Sequence, residues 1–248
     1  MQALKISLIT VTRNAESTIQ RCIESVLFQD YANVEYIIID GNSTDGTAQI
    51  IRKHINDIAR FVSEPDKGIY DAMNKGIKIA TGDVVGILNA DDFFASPQVL
   101  SNVAQAFAKN EIDALYGDLN YLKPDGGVVR RWVSGAYKAW RFNWGWMPPH
   151  PTFYCKRLFF NKLGLYDLDF GTAADYELML RFMFKNKLQV HYLNSLMVNM
   201  QTGGASNQTL LNRIKAWKSD LSAMGKNGVL IPQVCVIFKP LRKLIQYL

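Results

Sequence analysis

Cysteine is scarce: Cys22, Cys155 and Cys235 are the only three. They are far apart, odd in number and without paired metal spacing, which argues against a disulfide scaffold or a cysteine-built metal centre. Reduced thiols in a cytosolic protein are the expectation. Long apolar runs are missing as well, and no stretch approaches the ~18 residues of a spanning helix. The first apolar run, Ile6 to Val11, meets Arg13 and Asn14 with no small-residue cleavage pattern, so no signal peptide is expected. Glycine is absent where a dinucleotide fingerprint would need it: the first run is followed by Arg13-Asn14-Ala15-Glu16. That weighs against an oxidoreductase. A Walker-type glycine loop is also lacking, which weighs against a phosphotransferase. There is no internal repeat and no low-complexity segment.

What is present is an ordinary globular composition, 248 residues with 48% hydrophobic and 20% charged, enough for a large core. The net charge of +6 suits anionic partners such as nucleotide phosphates or a lipid surface, and equally suits solubility alone. No nucleic-acid recognition motif and no sustained basic stripe precede the tail, so a nucleic-acid partner is not expected.

Apolar runs and helical patterns alternate along the first ninety residues. Lys5 to Thr12 reads as a buried strand, and Ser17 caps a helix with Ile19, Ile23, Val26 and Leu27 on one face. Val34 to Asp40 is a second strand, Arg60 to Ser63 a third and Val84 to Leu88 a fourth. Helices fill the gaps, one carrying Ile50, Ile51 and Ile55 and one running from Ile69 to Ala80. Such alternation predicts an α/β fold with a mainly parallel sheet flanked by helices. Further on come a helix from Pro97 to Lys109, a hairpin turning at Pro124-Asp125-Gly126-Gly127, and a segment crowded with Trp132, Tyr137, Trp140, Phe142, Trp144 and Trp146. Those aromatics suit core and lid packing or contact with a sugar acceptor. Thr152 to Cys155 reads as a strand, Lys156 to Leu163 as a helix closed by Gly164, and Leu188 to Val198 as a strand. Three parts are expected: residues 1–95, residues 96–207, and a basic, apolar helical tail over 208–248. The tail suits an anionic membrane surface, a helix docked on the domain, or a homodimer contact.

Two of the strands end on acids. The run at 34–40 stops on Asp40, with Asp45 in the turn beyond it, and the run at 84–88 leads into Asn89-Ala90-Asp91-Asp92. Burying an unpaired carboxylate is costly, so acids at strand ends suggest a ligand site, as in other open α/β sheets. Two like charges at ~4 Å cost about 4 kcal/mol at an effective dielectric of ~20. Mg²⁺ or Mn²⁺ would relieve that repulsion and would also bind a diphosphate. Asp45 serves equally well as a helix cap. Asp175 lies in the first turn of a helix opened by Ala173-Ala174-Asp175-Tyr176-Glu177, where an anion is favoured or a cap is needed.

The ordered set Ile6 to Asn14, Ile38 to Thr47, Ser63 to Gly76 and Leu88 to Asp92 resembles the family 2 glycosyltransferases, most closely bacterial enzymes of exopolysaccharide, colanic-acid-type and O-antigen biosynthesis. The resemblance is strong over 4–95, moderate to Gly204 and weak in the tail. It implies a GT-A fold, a nucleotide-sugar donor and a divalent metal, Mn²⁺ or Mg²⁺. By analogy Thr12 and Asn14 border the nucleoside pocket, Asp40 holds a uracil-type base, and Asp45 belongs to the neighbouring polar network. Asn74, Lys75 and Gly76 are expected near the nucleotide or donor sugar. Asp91 and Asp92 stand for the acidic metal motif, with Asp92 chosen as direct ligand. The family usually writes that motif Asp-x-Asp, and Asn89 stands here where a first acid could be, which leaves the direct ligand open between Asp91 and Asp92. Asp175 resembles the base of an inverting displacement, His150 an acceptor-side or diphosphate-side residue, and Gly203, Gly204 and Ser206 a loop that folds over the diphosphate. The processive-synthase signature Gln-x-x-Arg-Trp is absent, since Ile214 follows Arg213. The resemblance therefore implies an enzyme that adds one sugar from a nucleotide-sugar, a UDP-sugar, to a lipid-linked saccharide of a surface polysaccharide. It implies a cytoplasmic protein, peripheral on the inner membrane. The alternative is a nucleotide-sugar-binding protein of the same fold without catalysis.

Overall fold

A computed structural model describes residues 3–201, 210–233 and 235–236. The strands are β1 (Ile6–Thr12), β2 (Val34–Asp40), β3 (Arg60–Ser63), β4 (Val84–Ile87), β5 (Asp92–Phe94), β6 (Ala114–Leu122), β7 (Val128–Trp132), β8 (Tyr154–Lys156) and β9 (Val190–Gln201). The helices are α1 (Ile19–Leu27), α2 (Thr47–Lys53), α3 (Ile69–Ile79), α4 (Val99–Lys109), α5 (Arg157–Leu163), α6 (Ala174–Met179) and α7 (Leu210–Lys226).

All the strands join one sheet in the order β3-β2-β1-β4-β8-β6-β9-β5, with β7 paired to β6. The parallel block β3-β2-β1-β4 was legible because its central strands are covered on both faces and so read as unbroken apolar runs. The expectation of a mainly parallel sheet needs correcting beyond it. β8 runs antiparallel to β4 and β6, β7 to β6, and β5 to β9, so four of the eight pairings among the described residues are antiparallel. No helical crossover separates β6 from β7, and the tight 124–127 turn can only reverse the chain.

Alternation along the strands divides the core between two faces. Ile9 and Val11 of β1 join Ile37, Ile39, Met73 of α3 and Leu178 of α6 on one face. Ile6 and Leu8 join Ile38, Cys22 and Ile23 of α1, and Val103 and Phe107 of α4 on the other. Each such fully buried aliphatic side chain contributes roughly 1.5–3 kcal/mol. Gly76 lets α3 approach closely, since a Cβ there would lie 2.5 Å from Ile9 Cγ2.

The amino-terminal ends of the parallel strands carry one buried acid, Glu35. Its carboxylate accepts from Ser7 Oγ (2.5 Å), Thr81 N (2.7 Å) and Thr81 Oγ1 (2.7 Å), with Lys5 Nζ at 3.5 Å. Burial alone would raise its pKa, but these hydrogen bonds and Lys5 outweigh it and bring the value down to about 2.

The aromatic segment splits. Phe142 and Trp146 are buried in the core, whereas Trp140 and Trp144 remain 57% and 47% exposed. Helix α7 packs on α6 and the 168–173 turn, and Lys226 Nζ lies 2.8 Å from Asp167 Oδ2. The first part of the tail is thus a docked helix, and the basic stretch from Lys239 on lies outside the described residues.

Candidate active site

The register of the parallel block aligns Thr12 with Asp40 and Asp40 with Ser63, so the carboxyl ends of β1, β2 and β3 finish level. β4 lies on the other side of β1, and the chain leaving it carries Asn89, Ala90 and Asp91. A cleft of about 460 Å³ opens over these ends, lined by Thr12, Arg13, Asn14, Asp66, Asn89 and Asp91 among others. The loop after β1 is stitched to the loop after β2. Asn14, in a left-handed conformation (φ 50°), donates from its backbone N to Ser43 Oγ and accepts from Thr44 N at 2.9 Å. Thr12 and Asn14 both line this cleft, and Thr12 Oγ1 is buried without a hydrogen-bond partner among the described residues.

Other expected nucleotide residues are used by the chain itself. Asp40 is fully buried, and its oxygens accept from Ser43 N, Ser43 Oγ and Ser63 Oγ, so it braces its own loop and does not line the cleft. Asp45 accepts from Thr47 N and Glu16 N, a cap at the start of α2, and the Thr47 hydroxyl holds its carboxyl below the usual range. Asn74 clasps the backbone of Tyr166 by two hydrogen bonds (2.8 and 2.9 Å) across 92 residues of sequence. Lys75 pairs with Glu64 at 2.8 Å and donates to Pro65 O. Gly76 packs on β1. The Asn74-Lys75-Gly76 triplet thus holds α3 in place and does not line the cleft.

The two motif acids face different ways. Asp91 lines the cleft, whereas Asp92, the expected direct ligand, opens β5 and turns inward, only 1% exposed. Burial, and then the Asp91 charge, raise its carboxyl well above the usual range. Asn89 Nδ2 donates to Asp92 Oδ2 (3.3 Å) and lies 3.3 Å from His150 Nε2. An amide nitrogen only donates, so His150 Nε2 accepts and the ring proton sits on Nδ1. That proton faces Asp175 Oδ2 at 3.4 Å. Burial lowers the His150 pKa, opposed by the Asp175 and Asp91 carboxylates. Tyr176 N donates to Asp175 Oδ1 at 2.7 Å, fixing the acid in the first turn of α6.

A line of four side chains, Asp92–Asn89–His150–Asp175, therefore joins the acidic motif to the expected base. Gly203, Gly204 and Ser206 lie outside the described residues. Sequence reasoning missed Arg13, Asp66 and Ile69 as cleft walls. Asp66 and Ile69 lay within a motif already singled out, but nothing there showed which of its side chains face the ligand.

A divalent cation fits the oxygen donors present. Asp91 is a hard carboxylate on the cleft wall, and Asp92 Oδ1 and Asn89 Oδ1 behind it are buried without partners. Among the described residues no group of three His, Cys, Asp or Glu could hold a metal. The chain alone thus supplies few ligands, as suits Mg²⁺ or Mn²⁺ held jointly with phosphates.

Known proteins resemble the chain in sequence and in fold. An "uncharacterized glycosyltransferase" of Mycobacterium tuberculosis is 33% identical over 186 residues, covering 71% of this chain and 68% of that protein. A "PGL/p-HBAD biosynthesis glycosyltransferase" of Mycobacterium bovis is 27% identical over 221 residues, covering 86% and 83%. Among solved structures, S. aureus TarS 1–349 in complex with UDP-GlcNAc superimposes with a TM-score of 0.71 at 18% identity, over 93% of this chain and 72% of that one. A longer TarS structure is spanned over only 39% of its length. The mannosyltransferase PcManGT of Pyrobaculum calidifontis, in complex with GDP-Man and Mn²⁺, gives 0.68 at 18% identity over 96% and 73%. These structural likenesses establish the GT-A fold. The family model described as glycosyl transferase family 2 matches residues 7–170, and the chain belongs to that family of glycosyltransferases.

Proposed function

We propose that the chain transfers one sugar, with inversion, from a UDP-sugar to a hydroxyl of a lipid-linked saccharide in surface polysaccharide synthesis. The observation that carries the reading is the His150 bridge: one imidazole separates the expected base, Asp175, from the acidic motif at the cleft. In this reading the diphosphate lies toward Asp91, which with the phosphates holds Mg²⁺ or Mn²⁺. The bound cation would neutralise charge developing on the departing diphosphate. Asp175 takes the proton of the acceptor hydroxyl, and the His150 Nδ1–H keeps its carboxylate aimed. Asp92 stays buried behind Asp91 and supports the loop through Asn89. Relatives' donors, UDP-GlcNAc on TarS and GDP-Man with Mn²⁺ on PcManGT, support a nucleotide-sugar and a cation. A mycobacterial relative named for PGL biosynthesis supports a lipid acceptor.

The same reading places the protein on the cytoplasmic face of a membrane, peripherally. Among the described residues no helix is long and apolar enough to cross one. Leu230 N donates to Asn143 Oδ1, which brings the exposed Leu230 and Ile231 up to the turn carrying Trp140 and Trp144. An apolar patch on a chain of net charge +6 suits an anionic interface.

The test is a thermal-shift panel of UDP- and GDP-sugars with Mn²⁺, followed by a transfer assay on lipid-extracted acceptors. Stabilisation by a UDP-sugar that EDTA abolishes in wild type, and that Asp91→Ala lacks even with Mn²⁺, is expected. Equal stabilisation with and without cation, or none by any sugar nucleotide, would overturn the reading.

A further inference from the structure

Helix α3 has two working faces. Ile69 and Ala72, with Gly68 at its cap, are walls of the cleft that opens over the strand ends. Tyr70 and Asn74 are four positions apart, one above the other on the helix, and reach instead to the segment that leads into α6. Asn74 is buried. Its Nδ2 donates to Tyr166 O at 2.8 Å and its Oδ1 accepts from Tyr166 N at 2.9 Å, so it holds that backbone as a neighbouring strand would. The Tyr70 ring lies 5.4 Å from the Tyr166 ring, and the Tyr70 hydroxyl donates to Thr172 O at 3.4 Å.

The segment depends on such ties. The turn Leu168–Ala173 is broken at Gly171, whose φ of 50° and ψ of −124° only glycine adopts readily. No continuous helix therefore carries the chain from Tyr166 to Asp175. A second tie runs to α6 itself. Arg181, in the helical turn that continues α6, pairs with the buried Glu177 at 2.9 Å and donates to Gly164 O at 2.9 Å and Leu165 O at 2.7 Å. Helix α6 is thus fastened through Arg181 to residues 164 and 165, and the next residue, Tyr166, is fastened by Asn74 to α3. Burial, and next the Asp175 charge, raise the Tyr70 and Tyr166 hydroxyls above their usual range, so both remain protonated beside that carboxylate.

Resting on the assignment of Asp175 as base, we infer that Asn74, with Tyr70 beside it, is a positioning residue for that base: it joins α6 to the helix whose other face lines the donor's cleft. Asn74 acts through the Tyr166 backbone and touches neither substrate. A contact with the nucleotide or donor sugar, the expectation from sequence, would put its effect in donor affinity. Positioning puts the effect in the chemical step, where a misplacement of about 1 Å costs about 10²-fold in rate. Without the amide, Tyr166 N and O are left unpaired, and the segment must shift to regain partners.

The experiment compares full-length Asn74→Ala, Tyr70→Phe and Asp175→Asn, alone and combined, in two measurements. One is UDP affinity by calorimetry with Mn²⁺. The other is kcat at saturating donor, for transfer to a lipid-extracted acceptor from the UDP-sugar that stabilises wild type. Asn74→Ala is expected to keep its UDP affinity while kcat falls about ten- to a hundredfold. Tyr70→Phe keeps the ring on Tyr166 and is the milder change; it should show the same split with a smaller loss, and it decides the matter if Asn74→Ala folds poorly. In the Asp175→Asn background neither change should lower the residual rate further, because no base is left to place. A merely structural defect would instead reduce the active fraction by the same factor in both backgrounds. Equal losses in both backgrounds, weaker UDP binding with kcat unchanged, or wild-type kcat in both variants would overturn the inference and leave Asp175 as base. Near-normal turnover by Asp175→Asn would overturn the base assignment and the inference with it.

Discussion

Replacing Glu35 by glutamine removes a buried acid at the amino-terminal ends of the parallel strands, away from the cleft. Its pKa lies at about 2 against an ordinary 4.5. That difference of about 2.5 units, at 1.36 kcal/mol each, amounts to about 3 kcal/mol of stability from the ionised form at neutral pH. The folded-state value is depressed, so the contribution is complete above pH 4.5 and drains away as pH falls toward 2. By pH 3 it is about half gone. The substituted amide keeps an acceptor for Thr81 but gives the Ser7 hydroxyl no anion to donate to. For a chain of this size about 3 kcal/mol corresponds to roughly 6–12 °C in Tm. The assay is equilibrium urea unfolding of wild type and Glu35→Gln at pH 7, 5, 4 and 3, with UDP binding measured at pH 7. The expected pattern is a gap of about 3 kcal/mol at pH 7 and 5 that narrows by about half at pH 3, with unchanged UDP affinity. A gap that stays constant with pH would refute the account of Glu35 as a charge held by its hydrogen bonds. A fall in UDP affinity would refute the separation of the structural acid from the functional ones.

Two further outcomes follow from the site and the core. Asp175→Asn should lower kcat about 10²- to 10⁴-fold while donor affinity holds, because Asp175 is not a wall of the nucleotide cleft. Near-normal turnover in single-turnover kinetics would remove it from the role of base. Cys22, fully buried and pushed up to about 12 mainly by burial, should resist iodoacetamide at pH 8 together with Cys155 until urea is added. Rapid labelling of either in the native protein, read by peptide mass, would contradict the packing of α1 and β8.

Much of the architecture was open to a reader of the residues alone. β-Branched runs such as Ile37 to Ile39 read as strands buried on both faces, and the carboxylates that end them pointed to the strand ends over which the cleft opens. The resemblance carried by Asp40 to Thr47 and Ser63 to Gly76 was likewise legible. It named the family correctly but did not say which of its polar side chains face the cleft. The clasp of Asn74 on the Tyr166 backbone was not legible, because its partner lies 92 residues away in sequence.

Local chemistry determined the strands, the helices between them and the presence of acids at one sheet edge, since period and turn residues act over a few positions. Only the tertiary structure decided that Asp91 faces outward and Asp92 inward, because β5 takes its orientation from pairing with β9, far along the chain. It also decided that Asp66 fills the space over Gly41, and that His150 bridges Asn89 and Asp175. Such contacts join loops that strand register brings level. Register is a property of the whole sheet, and no short stretch of the chain contains it.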